Sequence, residues 1–410
     1  MVNDDSLKTV WLINQYASTP ETGIAGRHYY FAKELAKRGY KVYLITAGFN
    51  HLLRQPPDLK EDFTFEAVSE GFHVVWVKMP KYKGAHSYKR VLNWFEFSWK
   101  LLKLPKVITD KPNSILYSSP SLIPFWAAKR LSRTLKAKLI WDVRDIWPLT
   151  LTELGGMSRY HPFILLHQFI ESYACRRSDF IISNLPFAIK HLVDRGVCEN
   201  NFLWIPNGFY AEEFFNGEVL SKDVSDLIPL EKFLVGYTGT FGKANAIDSI
   251  LNTAVLTKSS DEIHYVLVGG GSLESHIEEF IYKNELKNIT LIKSIPKRQI
   301  PAMLALFDVC YVGFNKCSLY QFGTALNKLP EYMMSAKPIL YSIDSIFRPV
   351  DDANCGLTVP AEDSHAIAQG ILTLKNLSPE ERCQMGENGR AYALKNHDYS
   401  KLASKLERLL

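Results

Sequence analysis

Three short stretches in the second half of this chain hold the residues best suited to gripping an anion. Gly236-Tyr237-Thr238-Gly239-Thr240-Phe241-Gly242-Lys243 follows an apolar run and precedes a helical one beginning around Ala246. Glycines let the backbone approach a ligand closely, and the free N–H groups of a helix start suit negative charge. Gly239, Thr240 and Gly242 would form such a nest, with the charge of Lys243 beside it. A tight strand-to-helix turn without a ligand explains the same residues. The spacing is neither Gly-x-Gly-x-x-Gly nor a Walker loop, which disfavours dinucleotide and P-loop chemistry. Val268-Gly269-Gly270-Gly271-Ser272 keeps side chains away from the end of the next strand, as packing alone also would. Gly323-Thr324-Ala325-Leu326-Asn327-Lys328-Leu329-Pro330-Glu331-Tyr332 is the most informative stretch, a loop leading into a helix that Ser335-Ala336-Lys337-Pro338 ends. With a helix start near Ala325, its free amides hold a phosphate and Lys328 supplies charge. Glu331 then lies one turn further in, where a carboxylate can accept two hydroxyl hydrogens from a ribose diol. A Lys and a Glu on a solvated helix face are the plain alternative.

The elements that must carry these residues alternate between strand and helix. The first half opens with the buried-strand pattern Thr9-Val10-Trp11-Leu12-Ile13, a loop over 15–26, and a helical stretch over 29–38 closed by Gly39. Further strands are expected at 41–46, 73–79, 114–118, 138–142, 180–183 and 202–206. A second series reads 233–237, 264–268, 289–292, 309–313, 338–342 and 357–359. Such alternation predicts parallel sheets covered on both faces. The turn dipeptide Asn207-Gly208 marks the hinge, giving an α/β chain with a domain over 1–207 and another over 208–385. A C-terminal helix over 386–410 is expected to pack back on the first domain. The reading is two Rossmann-like domains facing each other across a cleft at the C-terminal ends of their strands.

In this order the motifs resemble the family 4 retaining glycosyltransferases. Gly236-x-x-Gly239-x-x-Gly242-Lys243, Leu267-Val268-Gly269-Gly270-Gly271 and Asn327-Lys328-Leu329-Pro330-Glu331-Tyr332 carry the likeness in the second half. Asn14-Gln15-Tyr16 with Pro20-Glu21-Thr22-Gly23, then Arg144-Asp145-Ile146-Trp147-Pro148 and Ile205-Pro206-Asn207-Gly208, carry it in the first. The Arg-Asp-Ile-Trp-Pro run is similar to a subgroup that includes N-acetylfucosaminyltransferases of surface-polysaccharide assembly. The resemblance implies a GT-B fold and a nucleotide-sugar donor, UDP-linked, with no metal. It implies that Gly239 to Lys243 and Thr324 to Lys328, Asn327 included, hold the diphosphate, that Glu331 binds the ribose, and that the backbone at Ser294 and Ile295 meets the base. Gly23, Gly26 and Arg27 would approach the donor phosphates or the acceptor, and Arg144 and Asp145 would face the transferred sugar. Two positions depart from the family pattern. Gly323 stands where a glutamate commonly precedes Glu331 by eight residues, and Arg144 stands where a His often precedes the Asp. Both usually touch sugar hydroxyls, which points to a 6-deoxy or N-acetylated sugar rather than glucose.

The implied reaction needs negative charge stabilised on a departing diphosphate, a task for Lys243, Lys328 and aimed amides. In a retaining mechanism the leaving phosphate can itself accept the acceptor's proton, in keeping with the lack of a convincing carboxylate pair. Asp145 is the candidate for orienting the acceptor hydroxyl, or else a helix cap. No Asp-x-Asp motif is visible. A nucleotide-sugar 2-epimerase of the same fold, or a binding module without catalysis, would use the same donor grip.

Composition sets the surroundings. Hydrophobic residues at 47% and charged residues at 22% describe a globular chain, and the net charge of +5 is mild. Six cysteines without metal-ligand spacing predict reduced thiols and a cytoplasmic setting. The acidic start at residues 1–6 is unlike a signal peptide, and no apolar run approaches the ~20 residues that span a bilayer. Between Trp76 and Lys106, Lys78, Lys81, Lys83, Lys89, Arg90, Lys100, Lys103 and Lys106 interleave with Trp76, Tyr82, Tyr88, Trp94, Phe95, Phe97 and Trp99. That pattern suits the anionic inner face of the plasma membrane and a glycan or lipid-linked acceptor there. A core helix with solvated lysines fits it equally. No recognised module frames these residues for nucleic acid.

Overall fold

A computed structural model describes residues 7–84 and 87–410 of the chain; the acidic start at residues 1–6 lies outside them. By its contacts the chain divides into two units, Met1–Pro206 with Phe322–Ala325 and Tyr399–Leu410, and Asn207–Gln321 with Leu326–Asp398.

The first unit is built on an eight-stranded sheet of β1 (Thr9–Ile13), β2 (Lys41–Ala47), β3 (Phe63–Ser69), β4 (Phe72–Val77), β5 (Ser114–Ser118), β6 (Lys138–Val143), β7 (Phe180–Ser183) and β8 (Phe202–Trp204), in the order β3-β4-β2-β1-β5-β6-β7-β8. All pairings are parallel except β3 with β4. Every residue of β1 and β5 is buried, as strands covered on both faces require. β3 escapes sequence reading because, as an edge strand, it is half-exposed and mixes Glu66 and Thr64 with Phe63 and Phe65.

The second unit holds six parallel strands, β9 (Phe233–Thr240), β10 (Ile263–Gly270), β11 (Ile289–Lys293), β12 (Val309–Gly313), β13 (Ile339–Ser342) and β14 (Gly356–Val359), in the order β11-β10-β9-β12-β13-β14. Alternation along each strand feeds two cores. Val266 and Val268 point into one with Ile339 and Tyr341, whereas Tyr265 and Leu267 point into the other with Val235 and Leu340. The order reverses between β9 and β12, and between β1 and β5 in the first sheet. Such a reversal opens a crevice beyond the C-terminal strand ends, where ligands of doubly wound sheets bind.

The tail departs from the single helix expected over 386–410. Pro379–Asn396 is one helix and belongs to the second unit; Tyr399–Glu407 is another and belongs to the first. The first of these lies so close to the chain after the helix Lys328–Met334 that a Cβ on Gly386 would stand 1.9 Å from the Ala336 carbonyl oxygen. The second docks by aromatic packing, with Tyr399 stacked on Tyr30 at 4.9 Å and edge-on to Phe31 at 5.6 Å.

Candidate functional site

At the C-terminal edge of the second sheet, the loops after β9, β10, β11 and β12 meet the start of the helix Lys328–Met334. Backbone bonds lock the first two loops together, from Phe241 N–H to the Gly270 carbonyl (2.9 Å) and from Leu273 N–H to the Phe241 carbonyl (3.1 Å). The Tyr332 hydroxyl ties the helix to the end of β9, accepting from the Thr238 N–H at 2.7 Å and donating to the Thr238 carbonyl at 3.0 Å. The loop after β12 joins through Asn315 Nδ2, which donates to the Lys243 carbonyl at 2.7 Å.

Lys328 stands at the centre. Its Nζ lies 3.9 Å from the centre of the Tyr237 ring and 3.4 Å from Asn245 Oδ1. Gly239, at φ 144°, leaves room for it, since a Cβ there would come within 2.9 Å of Nζ. Burial drives the ammonium down to about 7, and among the described residues no carboxylate pairs with it. An anion arriving here would restore the charge. Lys243 is exposed on a short turn, Lys243–Asn245, just before the helix Ile247–Leu256. Of the glycines, Gly236 serves packing, because the Phe307 ring occupies the space its Cβ would need.

The helix expected to start near Ala325 starts at Lys328. Pro330 explains the shift: a proline inside a helix excludes a helical residue four positions earlier, here Leu326, but is tolerated in the first turn. Asn327 is therefore the flanking residue, exposed and without a side-chain cap bond, while Thr324 is buried in a segment that groups with the first unit. Gly323 adopts φ 88°, a backbone that strains a glutamate at that position. Glu331 is engaged at 2.7 Å by Lys297 of the loop after β11. Ser294 is exposed and Ile295 half-buried in that same loop, and Ser294 Oγ lies 3.0 Å from where a Gly270 Cβ would be. Gly239, Thr240, Gly242, Lys243, Ser294, Ile295, Lys328 and Glu331 thus share one edge of one sheet.

The first unit's strand ends hold a buried polar cluster around Asp142. His28 Nε2 donates to Asp142 Oδ2 at 2.8 Å, its Nδ1 accepts from Asn14 Nδ2 at 2.8 Å, and Ser118 Oγ donates to the same carboxylate at 3.1 Å. Arg27 pairs with Asp142 at 3.4 Å and donates to the Ile205 carbonyl at 2.9 Å. Burial pushes His28 down to about 4, so the ring is neutral. Burial opposes charge on Asp142 too, yet Arg27 and the His28 hydrogen bond hold its carboxyl at about 2. Arg27, expected near the donor phosphates or the acceptor, has its side chain fully enclosed, with Asp142 and Ile205 among its partners. Gly26 is the exposed flanking residue of the helix Arg27–Lys37, and Gly23 is folded into the preceding loop by its N–H bond to the Thr19 carbonyl (3.0 Å). Arg144 is half-buried with its N–H on Ser119 Oγ at 2.9 Å, and Asp145 is exposed beside it.

Sequence reasoning missed Tyr237, Asn245, Lys297 and the trio His28, Asp142 and Ser118. Tyr237 and Asp142 read as ordinary strand residues, and only their place at a strand end marked them. Among the described residues, no group of three or more His, Cys, Asp or Glu could hold a metal ion, and no helix is long and apolar enough to cross a membrane.

The chain matches the family descriptions "Glycosyl transferase 4-like domain" over residues 22–208 and "Glycosyl transferases group 1" over residues 221–392. A Klebsiella pneumoniae relative, an uncharacterized 41.2 kDa protein in a cps region, is 21% identical over 49% of this chain. The chain spans 53% of that relative's length. Among solved structures, the sucrose-phosphate synthase of Thermosynechococcus elongatus superposes with a TM-score of 0.74 at 16% identity, covering 98% of both chains. An E. coli trehalose-6-phosphate structure bound with UDP-2-fluoro glucose gives 0.75 at 9% identity, covering 98% of this chain and 99% of that one. Anabaena HepE in complex with UDP and glucose gives 0.67 at 12%, again over 98% of both. With the 4-like domain filling its first half and the group 1 domain its second, the chain belongs to the glycosyltransferases of the GT-B fold.

Proposed function

We propose that this chain transfers a hexosyl group from a UDP-linked sugar, with retention, to a glycan or lipid-linked acceptor in surface-polysaccharide assembly. The observation that carries the reading is Lys328, an ammonium without a carboxylate partner among the described residues, set against a glycine loop at the switch point of the second sheet. Fold relatives captured with UDP and a UDP-sugar support the donor class, and the cps-region relative supports the polysaccharide setting. In this reading Lys328 and Lys243 neutralise the departing diphosphate. Glu331 exchanges its Lys297 contact for the ribose, the backbone at Ser294 and Ile295 receives the base, and Arg144 and Asp145 address the sugar and acceptor. Gly323 leaves the place of a sugar-binding glutamate empty, which favours a 6-deoxy or N-acetylated donor of the N-acetylfucosaminyl type. Thermal shifts with UDP, GDP, dTDP and their sugars are expected to rise most for UDP-linked ligands. Transfer should persist in EDTA and give a product with the donor's anomeric configuration by NMR. Preference for UDP-glucose would sink the sugar assignment; an isomerised nucleotide sugar formed without acceptor would show an epimerase instead.

The same reading places the first unit on an anionic membrane. The basic, aromatic segment splits between its two expected fates. Trp76, Tyr82, Trp94 and Phe97 are buried, whereas Tyr88, Leu92, Phe95 and Trp99 line the outer face of the helix Tyr88–Leu101, Trp99 with 67% of its surface exposed. Exposed Lys89 and Lys106 flank this stripe. The helix Pro162–Arg177, whose Phe163 stacks on Trp94 at 6.1 Å, also exposes Leu165 and Phe169. Apolar rings at the acyl boundary with lysines at the headgroups suit an interfacial helix. Co-sedimentation with phosphatidylglycerol vesicles is expected, weakening with salt and falling at least tenfold, roughly, in a Leu92→Ser, Phe95→Ser, Trp99→Ser variant. Equal binding by that variant would exclude the helix as the contact.

A further inference from the structure

We infer that Tyr237 is a positioning residue for the donor diphosphate, acting through Lys328 by holding the ammonium over its ring face. The inference rests on the donor-site reading above and adds a residue to it. Tyr237 lies one residue before the end of the buried part of β9, and both its hydroxyl and its ring are engaged. The hydroxyl donates to the Thr240 carbonyl at 2.7 Å, inside the glycine loop. The ring packs near-parallel to Phe241, with centroids 6.1 Å apart and planes 25° apart, and the backbone of Phe241 locks the loops after β9 and β10. Lys328 Nζ sits 3.9 Å from the ring centre, well inside the range of cation–π attraction.

The other contacts of Nζ are weak or absent. Asn245 turns its Nδ2 to the Thr240 carbonyl at 3.0 Å and so presents Oδ1 to Nζ, but at 3.4 Å. A ring face is therefore the main thing that holds the lysine in place. This choice has a chemical consequence. A carboxylate would hold the ammonium more firmly but would cancel its charge and compete with a phosphate for its N–H donors. A π face attracts the cation through its quadrupole while consuming no N–H donor. The ammonium is thus held in position with its donors still available to an incoming anion. The tether from the Tyr237 hydroxyl to Thr240 fixes the same ring to the backbone amides that would share that anion. One aromatic side chain thereby sets the distance between the two halves of the grip. Gly239 is the third part, since any larger residue there would push Nζ off the ring.

The test is calorimetric titration of the full chain with UDP and with inorganic pyrophosphate, which lacks the base. Tyr237→Phe keeps the face and loses the tether, and should bind within about threefold of wild type. Tyr237→Leu loses the face and should bind about thirtyfold more weakly, the size of a desolvated cation–π contact. In a Lys328→Met background the same Leu substitution should cost nothing further, because its effect runs through the ammonium. Tyr237→Met, of similar length and without a π face, takes the place of the Leu variant if circular dichroism shows the latter unfolded. The alkaline limb of binding should also move to lower pH in the Leu or Met variant, a change that simple loosening of the core does not produce. An equal loss with and without Lys328 would overturn the inference, as would wild-type affinity in the Leu or Met variant. A wild-type protein that binds neither UDP nor pyrophosphate overturns the donor-site reading and this inference together.

Discussion

Replacing Lys328 with methionine is expected to lower donor turnover about a hundred- to a thousandfold, the effect of deleting one preorganised donor to a developing oxyanion. Methionine preserves the length and apolar stem, so the helix Lys328–Met334 and its Tyr332 anchor to β9 should persist. The loss is then one of charge. The pH dependence gives a second signature. Desolvation lowers the free ammonium to about 7, while a bound diphosphate raises it again, so binding takes up a proton. A group whose pKa is raised on binding favours the complex at low pH. Affinity for UDP should therefore be greatest below pH 7 and fall by up to about tenfold per unit above it, until the bound ammonium also titrates. Calorimetry in buffers of different ionisation enthalpy would measure the proton uptake directly. The Lys328→Met variant should show neither the uptake nor the alkaline fall, and a slope that survives in it would assign the titration elsewhere.

Asp142→Ala should destabilise the first unit by about 3–5 kcal/mol, because it strands the guanidinium of Arg27 in a fully enclosed site without its counter-charge. The same change removes the acceptor of His28 and Ser118. The urea midpoint of the unfolding transition, followed by circular dichroism, measures the loss. Arg27→Met added to Asp142→Ala should recover part of it, since the uncompensated charge is then gone. The wild-type cluster also makes the unit acid-sensitive. His28 titrates near 4 when folded against 6.5 unfolded, so between those values the unfolded chain holds the extra proton and stability falls as pH drops. Asp142, held at about 2 against 3.8, adds a second loss below pH 4. A stability profile flat from pH 7 to 4 would contradict the neutral, enclosed His28.

Much of the architecture was legible because parallel strands covered on both faces must be continuously apolar. Thr9-Val10-Trp11-Leu12-Ile13 and Val309-Cys310-Tyr311-Val312-Gly313 announce themselves in that way and form β1 and β12. β3 does not, since an edge strand with one wet face carries no such constraint. That the glycine loops and Lys328 lie at strand and helix ends was also legible, because such residues are local signals. The start of the Lys328 helix was misplaced by three residues, although Pro330 encoded it.

Partnerships across the chain were not legible. Arg27 follows a glycine-rich loop and looks ligand-facing, and nothing near it in sequence reveals Asp142, which pairs with the neighbouring His28 across 114 positions. Lys328 could be named as a phosphate contact, but its ring support and the Asn245 carbonyl 83 positions away emerge only when β9 and its helix pack. The aromatic segment around Trp94 held both fates at once, and folding sorted its rings by helix face, Trp94 and Phe97 inward and Phe95 and Trp99 outward. Periodicity and chain geometry act over a few residues and write themselves into local composition, which is why two α/β units and their glycine loops could be read from the chain. Burial, pairing and proton affinity depend on what lies across space. Packing across the chain is therefore what encloses Arg27 against Asp142, and what holds Lys328 over the Tyr237 ring with no carboxylate partner among the described residues.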